Sequence, residues 1–210
     1  VSDSTASTET VVCASCGAAG GSAVVCLECG ALGRVDEDDP FRAFGLDRAY
    51  DVDAGVVRKQ LLKLQRATHP DFFATQGDDA REAAERATSS INAAKEILGD
   101  EQRRADWLVV ALGGPSRDDD REMPQEFLME VLEWNEVLEE ARESPGADAA
   151  GLERLATDLA GAKDEALAAI RAALVPLPEH GAAPLAGVRR QLNALRYVDR
   201  ALGEVHALRS

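Results

Sequence analysis

The sequence predicts a mostly α-helical protein: a helical hairpin and then an antiparallel three-helix bundle, preceded by a small four-cysteine segment. Three observations carry this. Leu, Ala and Val dominate an apolar fraction of 45%, of which aromatics supply only 4% of the chain, and Ala and Leu are strong helix formers. Apolar residues recur at three- and four-residue spacing through most of the chain, with no alternating strand pattern outside the cysteine region. All four cysteines fall within residues 11–35.

Residues 1–10 hold no basic residue and no apolar block of the signal-peptide kind, and are read as a disordered tail. Cys13, Cys16, Cys26 and Cys29 then read C-x2-C-x9-C-x2-C, each pair followed by a glycine, Gly17 and Gly30. Two residues between thiolates let one tight turn aim both sulfurs at a single ion, and the glycine lets the backbone turn sharply beneath it. Two such turns supply a closed tetrahedral shell of four sulfurs, the structural Zn2+ arrangement. Iron in a four-sulfur site is the chemical alternative. Two redox-active or disulfide pairs are the other, and a reducing compartment weighs against them. A closed shell leaves no position for substrate, so no catalysis is assigned here. Such a small segment has little core, and metal would supply most of its folding energy. "DEDDP" (36–40) reads as an acidic hinge.

A short helix over 41–46 opens the next region. Residues 53–68, "DAGVVRKQLLKLQRAT", place Val57, Leu61, Leu64 and Thr68 on one stripe, with Asp53 as the cap. Lys59, Lys63 and Arg66 fall on the opposite stripe, with Arg58 at its flank, and no acid lies between 54 and 70. A one-sign stripe on an acidic chain is suited to steer an acidic partner. Pro70 ends the helix by forcing residue 69 out of helical conformation. After a loop to about Gly77, a second long helix spans 78–98 with Ala83, Ala87, Ile91, Ala94 and Leu98 inward, and a further helix covers 100–112. His69 followed by Pro70 and Asp71 could form a His–Asp base, but the sequence offers no G-x-S-x-G elbow and no spare cysteine as nucleophile. A shape-defining loop is the better reading.

The basic helix, His69-Pro70-Asp71 and the following "SSINAAKEIL" helix resemble a J domain, over about residues 40–113. The resemblance implies that a DnaK-class chaperone docks on Arg58, Lys59, Lys63 and Arg66, and that His69, Pro70 and Asp71 transmit the signal for ATP hydrolysis. In that family a basic residue commonly follows the triplet; here it is Phe72.

"GGPSRDDDREMP" (113–124) is a polar linker. Residues 126–143 place Phe127, Val131, Trp134 and Leu138 on one stripe, a core face. Met129, Leu132, Glu133 and Glu136 lie on the other side with Leu128 at the boundary, a pattern of either a bundle centre or an exposed patch rimmed by charge. Helices follow over about 148–175, with Leu152, Leu155, Leu159, Leu167, Ile170 and Leu174, and about 184–207, with Leu185, Val188, Leu192, Leu195 and Leu202. Short connections make the three antiparallel.

"FLMEVLE" after a J domain, with "LNALRYVDRAL" (192–202), closely resembles the HscB family of J-domain co-chaperones of iron–sulfur cluster assembly. The resemblance implies a bundle over 126–210 that binds an IscU-type scaffold, through apolar contacts at Leu128, Met129, Leu132 and Tyr197 and acidic contacts at Glu133 and Glu136. Tyr197 stands where an aromatic, often Phe, is seen, and Asn135 where the bacterial pattern carries Arg. The four-cysteine segment is similar to one in eukaryotic relatives. The chaperone partner implied is HscA-like.

Net charge is −15 and the pI is about 4.6. Such a balance disfavours non-specific nucleic-acid binding, which lysines and arginines drive by neutralising phosphates, and equally an anionic membrane surface. No run approaches a membrane span. A reducing, bacterial-type cytoplasm is the expected compartment. No P-loop is present, so any nucleotide belongs to the partner. The expected role is that of a non-enzymatic adaptor which stimulates a partner's ATPase. A general J-domain protein delivering unfolded clients is the rival reading; the C-x-x-C-x-G-x-G repeats and β-rich client domain of such proteins are not visible.

Overall fold

The computed structural model describes residues 10–144 and 148–209. The tail expected over 1–10 lies, except for Thr10, outside the described residues. The chain packs as two compact units that divide between Arg104 and Ala105.

In the first unit, α1 (Pro40–Phe44), α2 (Ala54–Ala67) and α3 (Asp78–Leu98) pack around one core. Asp39 opens α1 by accepting the Phe41 and Arg42 N–H groups at 2.9 and 3.2 Å, and Pro40 supplies a preset first turn. Asp53 caps α2, accepting the Val56 N–H at 2.8 Å. Pro70 has no N–H to donate and α2 stops before it; a 3-10 turn, Pro70–Phe72, starts there instead. Asp78 and Asp79 lie in the first turn of α3, favourably placed for its dipole. Leu64, Ile91, Phe41 and Phe44 are fully buried between these helices.

Two positions differ from the sequence expectation. Ala84, not Ala83, is the buried alanine that begins the α3 stripe, and Leu61 is only half-buried. Helix α3 packs on both α1 and α2, and that double contact rotates its buried stripe. "DEDDP" is not a hinge. Glu37 and Asp39 are buried, held by Arg42 at 3.3 Å and Arg48 at 2.7 Å respectively, and Ser90 of α3 donates to the Glu37 carbonyl at 2.7 Å. Buried carboxylates need such partners, and these arrive from elements that local pattern does not reveal.

Helix α4 (Glu101–Ala111) starts in the first unit, where the Arg104 guanidinium lies beneath the Tyr50 ring and donates to the Tyr50 carbonyl at 2.6 Å and to that of Leu98. Burial lowers the Arg104 pKa below its ordinary value.

The second unit is an antiparallel bundle of α5 (Gln125–Glu143), α6 (Ala149–Leu174) and α7 (Pro184–Leu208). Of the break expected over 143–148, residues 145–147 lie outside the described residues. Asp148 caps α6, accepting the Gly151 N–H at 2.7 Å. Trp134, Leu138, Leu152, Leu155, Leu159 and Val198 form a core from all three helices. The expected inward Leu167 and Leu202 are half-buried, and their neighbours Ala166 and Ala201 are buried instead. Unforeseen is Arg189, whose side chain is wholly buried on α7 and paired to Asp106 at 2.5 Å. No helix among the described residues is long and apolar enough to cross a membrane.

Candidate metal centre and docking faces

The cysteine segment is two copies of one knuckle. The Cys13 and Cys26 backbone carbonyls each accept the N–H of the glycine four residues on, at 2.9 Å. Gly17 and Gly30 have φ of 75° and 74°, the left-handed region that glycine enters without cost. Isolated bridges close each knuckle, Val12 to Ala19 and Val25 to Leu32. All four sulfurs lie within 4.8 Å of one another, with Cys13–Cys29 and Cys16–Cys26 Sγ separations of 3.7 Å. A tetrahedron of sulfurs about 2.3 Å from a central metal has edges of about 3.8 Å. A disulfide would need about 2.05 Å. The donor set fits a metal ion, with four equivalent sulfurs and no carboxylate or imidazole among them.

The same proximity splits the thiols. The N–H groups of Cys16, then Ser15, hold Cys13 down at about 6. At Cys16 the Ala18 N–H pulls downward, but the Cys29 and Cys13 sulfurs and desolvation together push it up to about 12. Cys29 is also raised: the Ala31 N–H favours its thiolate, and desolvation with the Cys26 and Cys13 sulfurs outweighs that pull. One site thus concentrates negative charge while its neighbours keep their protons, the behaviour of a shared cluster.

The segment has more core than its length implied. Val24 and Val25 are fully buried. Ala23 N–H donates to the Arg42 carbonyl at 2.8 Å, and Ser22 Oγ to that of Ala43 at 2.6 Å. Gly45, at φ 65°, closes α1 so tightly that a Cβ there would stand 2.4 Å from the Gly21 carbonyl carbon. The knuckles are therefore docked on α1 rather than tethered to it.

On α2, Arg58, Lys59, Lys63 and Arg66 are all exposed, on the side away from buried Val57 and Leu64. At the helix end, the exposed His69 imidazole accepts the Asp71 N–H on Nδ1 at 3.3 Å, with the Asp71 carboxylate 3.6 Å away. Thr68, fully buried, donates its hydroxyl to the Leu64 carbonyl and accepts that of Thr88 at 3.2 Å. The triplet is thus an external turn pinned from below to α3, with Phe73 buried and Phe72 67% exposed.

On α5, Leu128, Met129 and Leu132 are 44%, 66% and 61% exposed, and Glu133 and Glu136 are exposed beside them. Of the two meanings open for this face, the structure takes the exposed one, an apolar patch with an acidic margin. Tyr197 reaches α5 from α7 at the margin of that patch. Its ring stacks on Trp134 at 6.3 Å, meets the edge of Phe127 at 5.9 Å, and carries the Arg200 guanidinium at 5.1 Å. Its hydroxyl donates to Asn135 at 2.7 Å, and burial raises its pKa.

A His-Pro-Asp turn closing a helical hairpin, together with a bundle carrying an exposed apolar face, defines a J-domain co-chaperone. Comparisons agree. Residues 123–206 match the family model described as the HSCB C-terminal oligomerisation domain. The chain is 34% identical over 144 residues to the co-chaperone protein HscB homolog of Cupriavidus taiwanensis, spanning 68% of this chain and 81% of that protein. It is 29% identical over 137 residues to the homolog of Mannheimia succiniciproducens, covering 64% and 78%. Chaperone HscB from Vibrio cholerae superposes with a TM-score of 0.69 at 26% identity, covering 81% of this chain and 98% of that one. Human co-chaperone HscB shares the fold at a TM-score of 0.71 and 22% identity, over 94% and 98%. The chain belongs to the HscB family of co-chaperones.

Proposed function

We propose that this protein brings an iron–sulfur cluster scaffold to a DnaK-class chaperone and stimulates that chaperone's ATP hydrolysis. The observation that carries the reading is the presence, on one chain, of two unlike exposed faces: the cationic side of α2 ending in His69-Pro70-Asp71, and the apolar, acid-edged side of α5. In this reading the J domain spans 40–113, 114–125 is a linker, and the scaffold-binding bundle spans 126–210.

Arg58, Lys59, Lys63 and Arg66 steer an acidic surface of the chaperone onto α2, where a one-sign field sets docking register. His69, Pro70 and Asp71 then meet the ATPase as a preformed turn. Leu128, Met129 and Leu132 bury against the IscU-type scaffold, Glu133 and Glu136 pair with its cations, and Tyr197 flanks the patch. Tethering both partners to one chain raises the concentration of scaffold at the chaperone. Bond-breaking, nucleotide and Mg2+ belong to the chaperone. Cys13, Cys16, Cys26 and Cys29 hold Zn2+ as a structural ion, and a reducing cytoplasm suits those thiolates.

The test is steady-state ATPase of a DnaK-class chaperone, with and without the full chain and the scaffold. Stimulation by the chain, increased by scaffold, is expected. No stimulation, together with recovery of assorted unfolded proteins and no scaffold in pull-downs, would refute the reading.

A further inference from the structure

Between the second cysteine knuckle and the end of α2 lies a groove of about 770 Å³, lined in part by Leu27, Glu28, Lys63, Arg66, Phe72 and Gln76. We infer that this knuckle is one wall of the chaperone-docking surface, and that the groove takes an acid-flanked apolar segment of the DnaK-class partner. The inference rests on the function proposed above and assigns a role there to the cysteine module.

Placement comes first. The knuckles are held to α1 by the Ser22 and Ala23 hydrogen bonds, and the strand of chain that leaves them is held to α3 through Glu37 and Ser90. The groove is therefore a fixed feature of the first unit. It opens beside the His-Pro-Asp turn, since the Phe72 ring that lines it sits edge-on to His69 at 6.2 Å. Any macromolecule covering the cationic side of α2 and the triplet covers this groove as well.

Chemistry names the occupant. Leu27 and Phe72 are 40% and 67% exposed and line the same groove, where they present apolar surface that a partner could dry. Lys63 and Arg66 form no ion pair among the described residues, so both are free to receive carboxylates. Glu28 lines the knuckle side of the same groove, where its charge would repel an acid on that edge of the segment.

The experiment titrates the full-length, metal-loaded chain into a DnaK-class ATPase. Leu27→Ala and Phe72→Ala should each raise the half-saturating concentration by about fivefold or more, with maximal stimulation retained. The double variant should lose less than the product of the two, because one bound segment contacts both. Phe72→Ala lies outside the knuckle, so it decides the matter even if Leu27→Ala loses metal. Half-saturation within about twofold of the parent for Phe72→Ala overturns the inference, as does a loss confined to binding of unfolded polypeptide. His69→Gln separates the two levels. If it abolishes stimulation while Phe72→Ala changes nothing, the groove is refuted and the co-chaperone reading stands. If His69→Gln stimulates fully, the underlying reading has failed.

Discussion

The Tyr197 hydroxyl donates to Asn135 Oδ1 at 2.7 Å and ties α7 to α5 at the edge of the exposed apolar face. A Phe at 197 would leave the Asn135 amide without this partner, and an Arg at 135 would offer the Tyr197 hydroxyl no acceptor. Tyr197→Phe should therefore cost about 0.5–1.5 kcal/mol in urea denaturation, the worth of one net hydrogen bond. Tyr197→Ala should cost more than that, since it also empties the stack on Trp134 and Phe127. An equal cost for both would show that the ring contributes nothing.

The exposed face itself should behave oppositely. Leu128→Ala with Met129→Ala should change folding stability by less than about 0.5 kcal/mol, because neither side chain is part of the core. Scaffold affinity measured by calorimetry should fall by about 1–4 kcal/mol if these residues anchor the interface. Unchanged affinity would remove the patch from the scaffold-binding surface.

How much of this could be read from sequence varies with the range of the interaction. Asp53, Pro70 and the glycines after each cysteine pair act within a few residues, and they set helix starts, a helix end and two knuckles where local rules place them. Arg189 was not legible. On an amphipathic wheel it sits among Leu185, Val188 and Leu192, yet it is buried because Asp106, 83 positions away, and the Pro115 carbonyl receive it. Glu37 and Asp39 read as solvated hinge residues for the same reason, their partners lying on other elements. Proximity of Leu27 to Phe72 likewise depends on how the knuckles dock on α1, which no spacing encodes.

Asp106 offers the sharpest stability test. Its two carboxylate oxygens meet Arg189 at 2.5 Å and Arg196 at 3.0 Å, while Arg189 Nη2 and Arg196 Nη1 are buried without a partner among the described residues. Removing the shared anion strands a charge that has no access to water. Asp106→Ala should destabilise the protein by about 3–5 kcal/mol, the range for breaking a buried pair from one side. Combining it with Arg189→Met should recover much of that loss in urea denaturation, since the stranded charge goes too.

Metal uptake should release protons in a countable way. Near pH 7.5, Cys13, at about 6, is already a thiolate, whereas Cys16, at about 12, and the raised Cys29 are protonated. Binding as four thiolates must therefore expel at least two protons, and affinity should fall as pH drops because protons compete for the same sulfurs. Calorimetry of Zn2+ binding in buffers of different ionisation enthalpy gives the proton count directly. A count below two would overturn this distribution of protons among the four thiols.

At the other face, His69→Gln should abolish stimulation of the chaperone while leaving far-UV circular dichroism and urea midpoint unchanged. The imidazole is exposed, and its polar contacts within the chain are to Asp71, one residue beyond Pro70; surface positions of this kind shift stability by less than about 0.5 kcal/mol. A loss of function without a loss of fold is what an external recognition turn predicts. Salt separates the two docking faces in the same assay. In the proposed docking, the exposed Lys59, Lys63 and Arg66 would act through charges in water, and screening shortens their reach to about 8 Å at physiological ionic strength and less above it. Half-saturation for the chaperone should therefore rise with added NaCl more steeply than scaffold affinity falls, because the face proposed to meet the scaffold, Leu128, Met129 and Leu132, is largely apolar. Equal slopes would mean that the cationic and apolar faces have been assigned to the wrong partners.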